Sequence, residues 1–279
     1  RRDWVAARYP KDTLDLNSVK IMVDGVAENQ TAAMNAPYRD AHGHATGNSG
    51  LSFIDPDKLK EYVTALDAAG FQVHFHALGD RAVREALDAI EAARLANGPS
   101  DNRHHLAHLQ VIAASDTPRF AALDAIANIQ SLWACHEAQL DELTLPFLPD
   151  DAEDRHYPFG ELNVNGARLA AGSDWPVSSA NPIDAIHIAV NRVSPGSTDK
   201  PRGQPVQRLD LATSLAAYTA GTAYLNHRDH DTGAIAAGYL ANLVVLEPNP
   251  FELDPTDIHT TSVTSTWVRG TQVYARTTK

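Results

Sequence analysis

The sequence predicts an α/β fold on a parallel sheet, and three observations carry that prediction. Short apolar runs alternate with stretches of helical periodicity, the order expected of successive βαβ units. Three of those runs end on a metal-competent side chain: VHFHALGD around His76, HHLAHLQ around His108 and AAGSDWP around Asp174. Beyond about residue 230 the chain changes to alternating, Gly-punctuated runs without helical period, which predicts a small β subdomain. A barrel of parallel strands gathers strand-end residues from successive units into one pocket.

Taken in order, SVKIMV (18–23) reads as a strand closed by the Asp24-Gly25 turn. Residues 26–54 are polar and rich in Gly, Asn and His, and read as a long loop at the mouth of a site. Asp55-Pro56 starts a helix with Leu59, Tyr62, Val63 and Leu66 on one face and Gly70 as its stop. FQVHFHA (71–77) is the next strand. Gly79-Asp80 opens a helix carrying Val83, Ala86, Leu87 and Ile90 on one face, ended by Asn97-Gly98-Pro99. HHLAHL (104–109) is a strand, Asp116 and Pro118 open a short helix over Phe120 and Leu123, and AIANIQ (125–130) is a strand again. An acidic, Pro-containing loop (141–156) leads to a helix ending at Gly166 and the strand ARLAAGSD (167–174). Pro182 begins a helix through Ile186 and Val190, and 211–225 is helical with a break near Gly221. The predicted division is a body of 1–230 and a β subdomain of 231–279.

Composition narrows the function classes. The chain has 279 residues, 43 % hydrophobic and 21 % charged, a balance that excludes a disordered chain. A formal net charge of −12 argues against nucleic acid and anionic membranes as partners. No stretch approaches the ~18 apolar residues of a membrane span. No signal peptide is evident, and the lone Cys135 excludes an internal disulfide, so a reducing, cytoplasmic location is expected. The chain opens on Arg1-Arg2-Asp3 rather than Met, which reads as a processed chain or a fragment.

Four residues carry the expected chemistry. His74 and His76 share a strand face, and His76 sits at the strand end, where a neutral imidazole can bind metal. Taken singly it is more simply a half-buried histidine hydrogen-bonded to backbone. His108 repeats the placement in the next unit, with His104 on its face and His105 on the other, and the repetition favours ligands. Asp174 follows a strand of small residues and is expected to be buried, where a carboxylate needs a partner such as a divalent metal. It could also take a proton from metal-bound water. Lys20 ends its strand among apolar residues; an ordinary reading is a snorkelling side chain. If buried, its pKa would fall, and the neutral amine could add carbon dioxide to form a carbamate bridging two cations. His42-Gly43-His44 has the H-x-H form of a paired metal site but lies in the polar loop, and is read as part of a solvated rim. Cys135 and His136 complete no nucleophilic triad, and the glycines form no phosphate loop.

Together Lys20 in SVKIMVDG, His76 in HFHALGD, His108 in AHLQ and Asp174 in GSDWP resemble the amidohydrolase superfamily. The nearer resemblance is to its amidohydrolase-3 (YtcJ-like) branch, which includes N-substituted formamide deformylases. GAIAAGYLANLVVLEPNP is similar to the branch's closing segment, with Asn242 where that segment usually has Asp. The resemblance is read from about residue 18 onward, as the family's C-terminal half only. It implies a partial (β/α)8 TIM-type barrel, strands four to eight, with a small C-terminal β-sandwich-like subdomain.

It also implies one or two divalent metals, zinc above all, held by His76, His108 and Asp174. Asp174 would be the general base and Lys20 the candidate carbamate bridge. The implied activity is hydrolysis of a C–N bond in a small, amide-like molecule by metal-activated water. The first-strand H-x-H of the family has no counterpart, so the chain alone is expected to be inactive and to associate with itself through open sheet edges. Two other readings stay open: a non-catalytic amidohydrolase-like binding or regulatory module, and a deaminase of the same superfamily.

Overall fold

The computed structural model describes residues 2–10, 14–149 and 152–277. A short helix, α1 (Arg2–Ala6), precedes the first strand, β1 (Ser18–Met22). Then follow α2 (Pro56–Ala68), β2 (Gln72–Ala77), α3 (Asp80–Asn97), β3 (His105–His108), α4 (Thr117–Ala122) and β4 (Ile126–Ile129). After α5 (Ala138–Leu143) and α6 (Phe159–Val164) comes β5 (Arg168–Ala171), then α7 (Pro182–Asn191), α8 (Leu211–Ala216) and α9 (Thr222–Leu225). Three last strands, β6 (Leu243–Glu247), β7 (Ser262–Val268) and β8 (Thr271–Ala275), close the chain.

Strands β1 to β5 form one parallel sheet in sequential order, and β6 to β8 form a separate antiparallel sheet. The architecture is therefore α/β, a partial barrel beside a small β unit. The five parallel strands are the first five of this chain, and the expected numbering as strands four to eight does not match them.

Strand register explains the two faces. Ile21, Phe75, Leu106, Ala127 and Leu169 align across all five strands. They belong to one core with Leu59 and Val63 of α2 and Val83, Leu87 and Ile90 of α3. One residue away along each strand, Lys20, His74 and His105 align in a second row, and period-two alternation turns that row to the other face. This second face borders a cavity of about 940 Å³ lined in part by His74, His105, Asn128, Gly172 and Asn226.

The helix signals act as capping chemistry predicts. Asp55 accepts the N–H groups of Asp57 and Lys58 at 3.0 and 3.1 Å, and Gly98, at φ 81°, ends α3. Tyr62 departs from expectation: it is 49 % exposed, so α2 buries a narrower stripe than the sequence suggests. The expected break near Gly221 is instead a π-helical turn, Ala217–Gly221, joining α8 to α9. Gly221 lets that turn touch β5, since a Cβ there would lie 2.1 Å from the Leu169 carbonyl oxygen.

Three loop readings change. Residues 26–54 are not a simple solvated mouth, because Ala27, Ala32, Met34 and Tyr38 pack with Leu78, Val111 and Leu148 as a second buried cluster. The fully buried Asp24 anchors this segment, accepting the N–H groups of Ala33, Leu78 and Gly79 at 2.9, 3.1 and 2.9 Å. The acidic segment contains the end of α5 and a 3₁₀ turn, Leu145–Phe147. In the tail, the first strand begins only at Leu243. Residues just before it are tied into turns, with Leu240 N–H on the Asp231 carbonyl at 2.8 Å and Tyr239 Oη donating to the Asp229 carbonyl at 2.7 Å.

Candidate metal centre

The second face of the parallel sheet carries four histidines in two pairs. His74 and His105, adjacent in register on β2 and β3, have ring centroids 4.4 Å apart. His76 and His108 are 4.5 Å apart, edge to face at 66°. Trp133 stacks on His108, with ring centroids 5.8 Å apart and 25° between the planes.

His108 reaches this face through its backbone. Strand alternation puts it with His104, but at φ 79°, with Leu109 following at φ 52°, the chain leaves the extended conformation. Its N–H donates to Gln130 Oε1 at 2.7 Å. His104 stays with the helices: its Nε2 lies 2.9 Å from Asp67 Oδ1 of α2, and its Nδ1 accepts the Val73 N–H at 3.0 Å. The two histidines expected on one face thus part company.

Protonation states follow from the partners. His76 Nε2 is 3.0 Å from the Gly25 carbonyl oxygen, which only accepts, so that nitrogen is assigned the ring proton and Nδ1 the lone pair. Asp24 Oδ1 stands 3.9 Å behind it. Burial pushes the Asp24 carboxyl up to about 7, against the pull of its three backbone donors. Burial, with neighbouring imidazoles and Lys20 adding, pulls His74 and His108 down to about 3. Burial also lowers His105 to about 4, and lowers His76 from the usual imidazole range. All four rings are neutral at physiological pH and carry lone pairs.

Lys20 sits in the middle of β1 rather than at its end, in register with His74, and its Nζ lies 3.0 Å from His74 Nε2. The ammonium donates, so His74 Nε2 holds the lone pair. The residue is exposed overall, yet partial burial of the amine lowers its pKa, while the charge of Asp174 opposes that shift.

Asp174 corrects the expectation of burial: it is exposed, as are its neighbours Trp175 and Val177 at 70 and 72 %. It adopts φ 54°, and its carbonyl accepts the Val177 N–H at 2.9 Å. The side chain that organises this turn is Ser173, whose Oγ accepts the Trp175 N–H at 3.2 Å and whose carbonyl takes Ser178 Oγ at 2.7 Å. The charge of Asp174 reaches Lys20 and His76, where it opposes the lowering of both pKa values by burial.

His42 and His44 lie on an exposed turn whose N–H groups bind Asp40 Oδ1 at 2.8 and 2.9 Å, away from these pairs. Cys135 contacts Ser194 Oγ at 3.1 Å and His136 contacts Asp141 at 2.9 Å, so they form no shared triad. Sequence reading missed His105, Gln130 and Asp24. Only the alternation of HHLAHL, and the Asp-Gly turn after β1, pointed toward them.

For a divalent metal the donor types fit, being two neutral imidazoles with a carboxylate in electrostatic reach. The convergence is incomplete: among the described residues, no group of three or more His, Cys, Asp or Glu side chains is placed to hold a metal ion.

The five-stranded parallel sheet with four imidazoles on one face defines an α/β partial barrel. The chain belongs to the amidohydrolase family, whose match covers residues 2–274. This corrects the expectation of a likeness confined to a C-terminal half and starting near residue 18. The chain is 33 % identical over 261 residues to Protein LONG AFTER FAR-RED 3 of Arabidopsis thaliana, covering 94 % of this chain and 43 % of that one. It is 23 % identical over 247 residues to the N-substituted formamide deformylase of Arthrobacter pascens, covering 85 % and 42 %. An uncharacterized metal-dependent hydrolase from Pyrococcus horikoshii shares the fold, with TM-score 0.73 and 22 % identity over 91 % of this chain and 50 % of that one. The chain spans about half the length of the curated relatives it matches. No helix among the described residues is long and apolar enough to cross a membrane.

Proposed function

We propose that this chain contributes to a metal-dependent hydrolase that cleaves C–N bonds of small, amide-like molecules. The observation that carries the reading is the His76–His108 pair, two neutral imidazoles with ring centroids 4.5 Å apart on the face that also carries Lys20, with the charge of Asp174 in electrostatic reach. The likeness to an N-substituted formamide deformylase supports the same bond class.

In this reading His76, His108 and Asp174 would hold the metal, zinc or another first-row ion, with Lys20 the candidate carbamate bridge to a second one. A bound divalent metal would supply Lewis acidity and lower the pKa of water enough for its deprotonated form to attack a carbonyl carbon near neutral pH. Each side chain of this chain then has its own task. The Gly25 carbonyl fixes the tautomer of His76, and Gln130 fixes the backbone of His108. Asp174, exposed on a tight turn, would take a proton from the attacking water and return it to the leaving nitrogen. Trp133, stacked on His108, shields that ring from solvent.

The division into 1–230 and 231–279, a cytoplasmic setting consistent with the single buried Cys135, and self-association through the edge strands β1 and β5 belong to the same proposal. Sedimentation equilibrium showing only monomer would remove the last of these.

The test is a hydrolysis screen on N-formyl and N-acyl amines of zinc-loaded protein in which this chain is joined to the family's first-strand H-x-H half, beside its His108→Asn variant, since the chain by itself is expected to be inactive. Turnover that the variant loses by roughly 100-fold or more, at or beyond the ~10–100-fold cost of losing an outer-shell partner, supports the reading. Zinc-independent or absent turnover refutes it. The second reading, a non-catalytic binding or regulatory module, draws on the incomplete convergence of donors, and binding of an amide without its hydrolysis would favour it.

A further inference from the structure

Arg192 and Arg202 are 0 and 1 % exposed, and among the described residues their hydrogen bonds run to backbone carbonyls and to His156 rather than to a carboxylate. Arg192, which ends α7, spends its guanidinium on three backbone carbonyls. Nε donates to Arg202 at 3.2 Å, Nη1 to Tyr157 at 3.0 Å and Nη2 to His156 at 3.1 Å. Arg202 turns Nη1 toward His156 Nδ1 at 2.9 Å. That contact makes Nδ1 the acceptor, so His156 Nε2 carries the ring proton.

Three N–H positions then remain, Arg202 Nε, Arg202 Nη2 and His156 Nε2, all buried and without a partner among the described residues. Such donors are costly to leave unmade, and two buried cations side by side compound the cost. The chain itself shows what the Nε/Nη2 edge of arginine takes. Arg103 uses it on Asp101 at 2.8 and 3.0 Å, and Arg228 uses it on Asp231 at 3.0 and 2.6 Å. At Arg202 the same edge is buried and unpaired among the described residues, while Nη1 is tied to His156 and the Arg202 carbonyl to Arg192.

We infer that Arg202, Arg192 and His156 form a buried site for one small monovalent anion, a halide or the carboxylate of a small organic acid. The anion neutralises the arginine pair and takes the Nε/Nη2 edge of Arg202 with charge-assisted hydrogen bonds. It fastens the 192–202 segment to residues 156 and 157. That segment also holds Ser194 against Cys135, directly after the turn that presents Trp133 to His108. Its effect on the candidate metal centre is therefore positional. The site stands whether or not the protein is a hydrolase.

Crystals grown in sodium bromide test the proposal by anomalous scattering. A bromide peak within hydrogen-bond reach of Arg202 Nε and Nη2 is expected. In parallel, the melting temperature is expected to rise with chloride, bromide or formate at constant ionic strength, and to stay flat when bulky gluconate replaces them. The halide arm reads an inorganic anion and the formate arm a carboxylate. Arg202→Met removes the dependence. If that variant does not fold, the milder Arg202→Lys shifts the wild-type anion midpoint to higher concentration. An ordered water alone at the edge, a carboxylate of the chain's own Glu153 or Asp141 bound there, or equal melting in gluconate would each overturn the site.

Discussion

Lys20 Nζ and His74 Nε2 face each other at 3.0 Å across β1 and β2, an ammonium donating to a neutral imidazole. The amine is pulled down mainly by burial and the imidazole sits near 3, so this corner of the face disfavours added positive charge. Under the proposed function, Lys20 is the residue that adds carbon dioxide. Protein equilibrated with ¹³C-bicarbonate should show a carbamate carbonyl resonance that Lys20→Arg removes, since guanidinium forms no carbamate. An identical spectrum from the two proteins would remove Lys20 from the proposed metal centre.

The Asp67–His104 pair sets an acid limit on stability. Burial raises the Asp67 carboxyl, but hydrogen bonds from Asn97, Ser100, Asn102 and His104 outweigh it and hold it at about 2. Its folded pKa lies below the unfolded value, so its stabilisation is present above about pH 4 and lost as pH falls toward 2. His104 is lowered chiefly by burial, with Arg94 adding and Asp67 opposing, so it too favours the folded state above pH 6.5 and weakens it below. Urea midpoints of the wild type should therefore fall on acidification from 6.5. Asp67→Ala should cost about 3 kcal/mol at pH 7, with a smaller difference at pH 3. A cost that does not change with pH would contradict the assignment.

Gly221→Ala places a methyl 2.1 Å from the Leu169 carbonyl oxygen, a backbone atom that cannot rotate away. The π-helical turn must lift from β5, at a cost of about 1–3 kcal/mol in thermal unfolding. Unchanged stability would mean that the turn does not press on the strand.

Phe75→Ala and Tyr62→Ala separate the buried stripe from its apparent extension. Phe75 is fully buried in the middle row of the sheet, and its loss should cost about 3–5 kcal/mol. Tyr62 lies on the same helix as Leu59 and Val63 but is half exposed, and its loss should stay within about 0.5 kcal/mol. Similar costs for both would mean that α2 packs differently.

That contrast shows what sequence could and could not say. Runs such as FQVHFHA and AIANIQ were legible because turn residues bound them and apolar alternation fills one face. The long segment 26–54 hid its buried cluster because Met34 and Tyr38 are isolated apolar residues with no period, gathered by non-local bonds such as Ala33 N–H to Asp24, Met34 N–H to the Ser49 carbonyl and Tyr38 N–H to the Asn48 carbonyl. His76 was placed correctly because it lies within a regular strand. His108 was placed on the wrong side because the period fails where a non-glycine residue takes φ 79°. The exposure of Asp174 depends on what packs over its turn, which no local pattern encodes. Arg192 and Arg202 gave no signal at all, since arginines are ordinarily surface residues.

The central claim is that His76 and His108 are metal ligands. Zinc stoichiometry after exhaustive dialysis tests it most directly, measured on the wild type and on His76→Asn/His108→Asn, each confirmed folded by circular dichroism. The account predicts at least one zinc retained per wild-type chain and none in the double variant. No zinc in the wild type, or equal zinc in both proteins, would contradict it.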